Sequence, residues 1–318
     1  MQTPKNTIFI SVRMSSIMVA GGYSYGKMPI CVQVVSGDSN IKQFPSLPDT
    51  HEMQWPKGIG GPSLVIHNKT ILICGAGRNA EKCLQLEHDS WKEHSIHNNE
   101  GRFGSSVVST HMATFIFGGR DTENTYEYLP IGSTSWQVGK TAIPGGFKFG
   151  FAIANKSDKE IWLFGGKDTG RRILSFNPYD HTFSELPTKL NISRSTPRCA
   201  YIPGTNQIAI TGGDIGDMSL KHVEYFDTKD RSISMGFREG HLNFPRTEHG
   251  IGIVTINDEE KLAVFGGCGE KFNKLNDVEF YNTKTETWET SDITLKEPNW
   301  AFASLTFKPS DLKLTKNY

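Results

Sequence analysis

The hydrophobic positions of this chain fall into short runs that stop on glycine. IMVAGG (17–22), ILICGAG (71–77), FIFGG (115–119), IWLFGG (161–166), IAITGG (208–213) and LAVFGG (262–267) share this form. The first glycines stand at 21, 75, 118, 165, 212 and 266, so the motif returns about every 50 residues. After each glycine pair comes an alternating segment: CVQVV (31–35), CLQL (83–86), TYEYL (125–129), ILSF (173–176), HVEYF (222–226) and DVEFY (277–281). Period-two alternation rich in Val, Tyr and Phe predicts strands. A polar turn then leads to a large apolar residue, such as Trp91, Trp136, Phe183 or Trp288. NPYD (177–180), DTKD (227–230) and NTKT (282–285) open on Asn or Asp, whose side chains close turns on their own backbone. A further strand precedes each glycine run, as in GPSLVIH, GSSVVST, FGFAIA, CAYI and GIGIVTI. Each repeat therefore holds four short strands and no helix. AEKCLQLEHDSW (80–91) has some helical spacing, but its place in the repeat predicts strand.

Four antiparallel strands cannot bury both faces by themselves. Repeating them face to face around an axis buries the faces and protects the edges. The pattern thus predicts an all-β fold: a six-bladed β-propeller of four-stranded antiparallel blades, formed as a single domain over residues 1–318. The double glycine ends the second strand where neighbouring blades converge and a Cβ would intrude.

The glycine pairs 21–22, 118–119, 165–166, 212–213 and 266–267 carry a resemblance to the kelch repeat, together with Tyr128, Tyr281, Trp91, Trp136 and Trp288. It covers roughly residues 10 to 307. The second repeat departs from it with Gly75-Ala76-Gly77, and the first, fourth and fifth lack the outer tryptophan. The resemblance implies closure by the C-terminal strand AFASLTF (301–307), with TIFISV (7–12) left as an extra segment. A truncated seven-bladed ring is the alternative. Proteins of this type include adaptors, scaffolds and enzymes, so fold does not name function.

Composition narrows the field. Of 318 residues, 34 are basic and 34 acidic, so net charge draws the chain toward neither nucleic acid nor a membrane. No apolar run approaches the roughly 18 residues that span a bilayer, and Arg13 interrupts the N-terminal apolar patches, so no signal peptide is read. The five cysteines (Cys31, Cys74, Cys83, Cys199, Cys268) show no metal spacing. They are expected to be reduced, small buried hydrophobes in a cytoplasmic protein. Sequons at Asn68, Asn155 and Asn191 keep secretion as the alternative. Nothing in the sequence sets an oligomeric state.

No catalytic residues, metal ligands or cofactor are assigned. His88, His94 and His97 cluster in EHDSWKEHSIH, but as solvated residues of an outer strand and its exit. The glycines of CGAGR (74–78) and GGFKFG (145–150) open no helix and cradle no phosphate.

A basic residue recurs before the innermost strands: Lys57, Arg102, Lys148, Arg198 and Arg246. Equivalent positions in a propeller form a ring at one mouth of the channel, and five cations there would focus a positive potential. The loops after the glycine pairs add Arg120 and Arg171 to that face, with Asp121, Asp168 and Asp214 as counter-charges. The expected function is a protein-interaction adaptor that grips an acidic or phosphorylated segment there. The same basic position can instead brace a loop through carbonyls or an acid. Two other functions stay open: a kelch-type carbohydrate enzyme such as a sugar-acid mutarotase, and a cytoskeletal scaffold that works through its sides. No BTB or BACK region fits before residue 10, so an adaptor would recruit through another chain or a longer product.

Overall fold

The computed structural model describes residues 15–20, 32–35, 42–43, 63–74, 82–87, 90–97, 101–236, 240–295 and 298–308. They form antiparallel sheets arranged as a β-propeller, with no α-helix among the described residues. Six of the sheets have four strands each. From the axis outward, sheet 2 runs Ser63–His67, Thr70–Cys74, Lys82–Glu87 and Ser90–His97. Sheet 3 runs Ser106–Ser109, Ala113–Phe117, Tyr126–Pro130 and Gln137–Val138. Sheet 4 has Phe151–Ala154, Ile161–Phe164, Ile173–Asn177 and Thr182–Glu185. Sheet 5 has Arg198–Tyr201, Gln207–Thr211, Val223–Asp227 and Ile233–Met235. Sheet 6 has Gly250–Ile256, Glu259–Phe265, Asp277–Asn282 and Thr287–Thr294.

Sheet 1 joins the two ends of the chain. Its first strand is the C-terminal Ala303–Phe307, followed by Ser16–Ala20, Val32–Val35 and Lys42–Gln43. The register sets Ser16 opposite Phe307 and Ala20 opposite Ala303. The TIFISV segment (7–12) lies outside the described residues. First strands of successive sheets lie side by side, and that of sheet 6 lies beside that of sheet 1.

The core sits between sheets. Sheets 3 and 4 share Phe115, Phe117, Tyr126, Leu163 and Phe176. Sheets 4 and 5 share Trp162, Phe164, Ile210 and Phe226. Sheets 5 and 6 close on Ala209, Tyr225, Val264 and Trp288, and sheets 6 and 1 on Phe265, Val278, Ile17 and Phe302. Second strands are therefore apolar on both faces, and Ile161–Phe164 is buried at every position. Large rings cross the gaps: Phe176 meets Phe117 at 5.2 Å and Phe226 meets Trp162 at 5.2 Å, both edge to face.

The double glycine has a local cause. Gly118 (φ +63°) and Gly212 (φ +55°) are in the left-handed region. A Cβ on either would overlap a carbonyl of the next sheet, Phe147 O or Arg246 O. The second glycine of each pair donates its N–H to that same carbonyl: Gly119 to Phe147 O at 3.0 Å and Gly213 to Arg246 O at 3.0 Å. The glycine pair is thus a seam between neighbouring sheets.

The cysteine expectation needs correction. Cys74 and Cys83 face each other across the second and third strands of sheet 2 and are joined as a disulfide, with Cα atoms 4.3 Å apart. The sequence hid this pairing because the repeat, not the nine-residue spacing, sets their register. Cys199 and Cys268 are free and buried, as expected; Cys31 lies outside the described residues.

Candidate functional site

The loop face is built by one repeated ladder. The residue after each glycine pair donates to the residue two before the left-handed turn's exit: Arg120 N to Phe103 O, Lys167 N to Lys148 O, Asp214 N to Ser195 O, and Cys268 N to Thr247 O. These bonds put Arg120, Lys167, Asp214 and Cys268 on the face where the chain turns into the innermost strands. One residue further on, Gly104, Phe149, Thr196, Glu248 and Ala301 all have positive φ, between 49° and 72°. Holding a non-glycine residue there costs on the order of 1–3 kcal/mol. A belt of backbone bonds around the mouth keeps it in place, including Phe149 N to Gly104 O at 2.8 Å and Ala301 N to Glu248 O at 3.1 Å.

The glycine seams also reveal which positions are equivalent. Phe147, Arg194, Arg246 and Asn299 each offer the carbonyl that the second glycine uses, and Arg102 stands four residues before its strand as they do. The ring expected from sequence therefore mixes registers. In sheet 5 the equivalent residue is Arg194, not Arg198. In sheet 4 it is Phe147, not Lys148.

Arg102, Arg194 and Arg246 are buried, each facing a buried glutamate in the third strand of its own sheet. The pairs are Arg102 Nε–Glu127 Oε1 at 2.9 Å, Arg194 Nη2–Glu224 Oε1 at 2.8 Å and Arg246 Nη2–Glu279 Oε1 at 2.5 Å. Each arginine also caps the carbonyl of the first glycine: Gly118 O at 3.1 Å, Gly212 O at 2.8 Å and Gly266 O at 2.7 Å. The glutamates accept from the chain three residues before the arginine. Asn191 N donates to Glu224 Oε2 at 2.5 Å, and Asn243 N to Glu279 Oε2 at 2.6 Å. Burial pushes the Arg194 and Arg246 pKa values down, and the paired glutamates oppose that shift. Arg102 and Arg246 are thus braces, and their side chains offer no surface to a partner. In sheet 4 the same two positions are Phe147 and Leu174, both buried. An apolar pair fills the place of the ion pair, and Gly165 O keeps the threonine cap, Thr169 Oγ1 at 2.7 Å, that sheet 3 also has from Thr122 Oγ1 to Gly118 O at 3.0 Å.

The other predicted cations lie in different settings. Lys148 bridges Glu123 at 2.9 Å and Asp168 at 3.4 Å. Its ammonium is held above the usual lysine range, first by the Glu123 hydrogen bond. Arg120 stacks between Phe103 and Phe149, with Cζ 5.4 and 5.6 Å from the ring centroids. Arg171 is exposed and reaches Asn191 O at 3.5 Å. Arg198 begins the innermost strand of sheet 5 and faces the axis beside Phe151. Lys57 lies outside the described residues.

Of the expected counter-charges, Asp214 is already occupied. It accepts from Ser195 Oγ at 2.5 Å, Thr196 Oγ1 at 2.7 Å and Thr247 Oγ1 at 2.8 Å. Glu248 stands nearby, its pKa raised by burial to about 7, with Arg198 pulling it down and Asp214 pushing it up. His249 is fully buried, meets Thr211 Oγ1 at 2.8 Å, and is held well below the usual histidine range by burial. No group of three His, Cys, Asp or Glu residues among the described ones could hold a metal ion.

Sequence reasoning passed over the glutamates. A signal existed: Glu127, Glu224 and Glu279 each interrupt an apolar third strand at the same point, in TYEYL, HVEYF and DVEFY. In the same three repeats an Asn-x-x-Arg precedes the innermost strand: Asn99–Arg102, Asn191–Arg194 and Asn243–Arg246.

No family model matches the chain. Three curated proteins are similar to it. Over 239 residues it is 25% identical to the spermatocyte protein spe-26 of Caenorhabditis elegans, covering 67% of this chain and 40% of that one. It is 27% identical over 218 residues to acyl-CoA-binding domain-containing protein 5 of Arabidopsis thaliana, covering 64% and 31%. It is 26% identical over 172 residues to the Rho GTPase-activating protein gacHH of Dictyostelium discoideum, covering 52% and 11%. The matched region thus spans less than half the length of each of these relatives.

Proposed function

We propose that the chain is one six-bladed kelch-type propeller, with the C-terminal strand completing the first blade, and that it works as a protein-interaction module. Its loop face grips an acidic or phosphorylated segment of another protein. The observation that carries this reading is a set of cations that make no ion pair among the described residues. Among the described residues, no carboxylate lies within 4.0 Å of Arg120, Arg171 or Arg198. Arg120 is also oriented by its two rings, so little side-chain freedom is lost when it binds. On the loops of sheets 5 and 6, Ile215, Met218 and Phe272 are exposed and supply apolar contact area beside the charges. The three relatives carry names of unlike function, which suits a module reused in different proteins.

The test is binding of acidic and phosphorylated peptides, followed by fluorescence polarisation at several salt concentrations. Binding should weaken with salt, and an Arg120→Glu, Arg171→Glu variant should bind at least tenfold more weakly with an unchanged melting temperature. Equal binding by both proteins would move the partner surface off this face. A second reading, an enzyme acting on a carbohydrate acid, is favoured by one observation: the Arg198 guanidinium lines an axial cavity.

A further inference from the structure

The innermost strands leave a cavity of about 90 Å³ on the axis. Leu64, Val107, Phe151 and Phe302 line its apolar wall, and Arg198 with Ser105, Ser106 and Ser304 its polar one. These residues come from sheets 1 to 5, so the cavity lies between the innermost strands of several sheets and belongs to no single one.

Arg198 differs from the bracing arginines. Its Cζ lies 5.8 Å from the centroid of the Phe151 ring, and its Nη1 donates to Pro197 O at 3.2 Å. A guanidinium carries five N–H donors in a planar fork. No carboxylate among the described residues lies within 4.0 Å of this one. By contrast, Arg194, only four positions earlier, is bonded to a glutamate and three carbonyls. Burial lowers the Arg198 pKa and the nearby Glu248 carboxylate opposes that shift; with no carboxylate in contact, an anion in the cavity would offset the remaining cost. Ser105 Oγ is buried in the same wall with no hydrogen-bond partner among the described residues. A buried hydroxyl left unbonded costs on the order of 1–3 kcal/mol. The cavity therefore offers a guanidinium fork and a hydroxyl, both short of acceptors, against an apolar wall.

We propose that this cavity binds one carboxylate group, held by Arg198 and Ser105. A carboxylate matches the planar fork with two parallel hydrogen bonds. Its hydrocarbon end would rest on Phe151 and Phe302. A phosphate dianion is a poorer fit, since among the described residues a single cation lines the site. Two sources share this chemistry: a free short-chain acid, or an acidic side chain reaching in from the loop face. The second rests on the proposed function above; the first does not.

The test titrates sodium acetate against sodium chloride at equal ionic strength, and follows the Arg198 Nε–H resonance and saturation transfer to the acetate methyl. The expected result is a saturable response in the wild type. It should be at least tenfold weaker in Arg198→Met and a few-fold weaker in Ser105→Ala. Displacement of acetate by an acidic peptide would assign the site to a side chain; no displacement would assign it to a free acid. A non-saturable wild-type response, or an equal response in Arg198→Met, overturns the proposal. If Arg198→Met does not fold, the wild-type resonance and Ser105→Ala decide. The acetate readout needs no partner protein, so its failure is distinct from failure of the Arg120 and Arg171 test.

Discussion

The Arg246–Glu279 pair lends itself to a double-mutant cycle, because the molecule contains its own control. Sheet 4 places Phe147 and Leu174 where sheet 6 places Arg246 and Glu279. Replacing Arg246 by Met leaves a carboxylate buried without its cation. Replacing Glu279 by Leu leaves a buried guanidinium without its acid. Each single change should cost about 3–5 kcal/mol. The double change leaves no buried charge. What it still loses is the cap on Gly266 O and the acceptor for Asn243 N and Phe244 N. Those orphaned groups cost about 1–3 kcal/mol each when dry, less where water reaches them. The double variant should therefore fall short of the summed single costs by at least about 2 kcal/mol, a coupling typical of residues in one network. Urea unfolding followed by tryptophan fluorescence measures this, since Trp288 is buried in the adjoining core. Additivity to within about 0.5 kcal/mol would refute the claim that the pair acts as a unit. Wild-type-like stability in either single variant would refute the claim that the charges are desolvated.

Three further outcomes are expected. Glu248 has an ordinary pKa of 4.5 and a folded value of about 7, so the folded state holds a proton that the unfolded chain releases, and stability falls as pH rises through that window. Glu248→Gln should match the wild type near pH 4 and exceed it at pH 8 by roughly 2–3 kcal/mol; thermal melts at both values check the sign, and equal curves at pH 8 would refute it. Lys148→Met should cost no more than about 1 kcal/mol, because Lys148 and its partners Glu123 and Asp168 are all partly exposed; a larger loss in urea titration would show that the bridge braces the loop. Non-reducing peptide mapping should recover Cys74 linked to Cys83, with Cys199 and Cys268 alkylated only after unfolding.

The all-β propeller was legible from one-dimensional pattern, because its physics is local and repeated. Alternation sets which residues face a neighbouring sheet, glycine marks the turn that needs positive φ, and an interval near 50 residues returns each element to the same environment. Closure through AFASLTF was implied by the kelch resemblance and not by the spacing, and the Ala303–Phe307 strand pairs with Ser16–Ala20. The candidate site was less legible. Lys57, Arg102, Lys148, Arg198 and Arg246 look alike in sequence because each is a cation just before an innermost strand. A shift of one or four residues there decides between a buried brace and a partly exposed charge, and spacing alone does not resolve it. The register became visible only through the carbonyls that the second glycines select. Burial did the rest. Whether an arginine is spent on a glutamate in its own sheet, as Arg246 is, or faces an open cavity, as Arg198 does, depends on groups more than about 100 residues apart in the chain, such as Leu64 and Arg198. Sequence alone determined the repeating strand pattern; only the packed ring decided which of its charges are free to act.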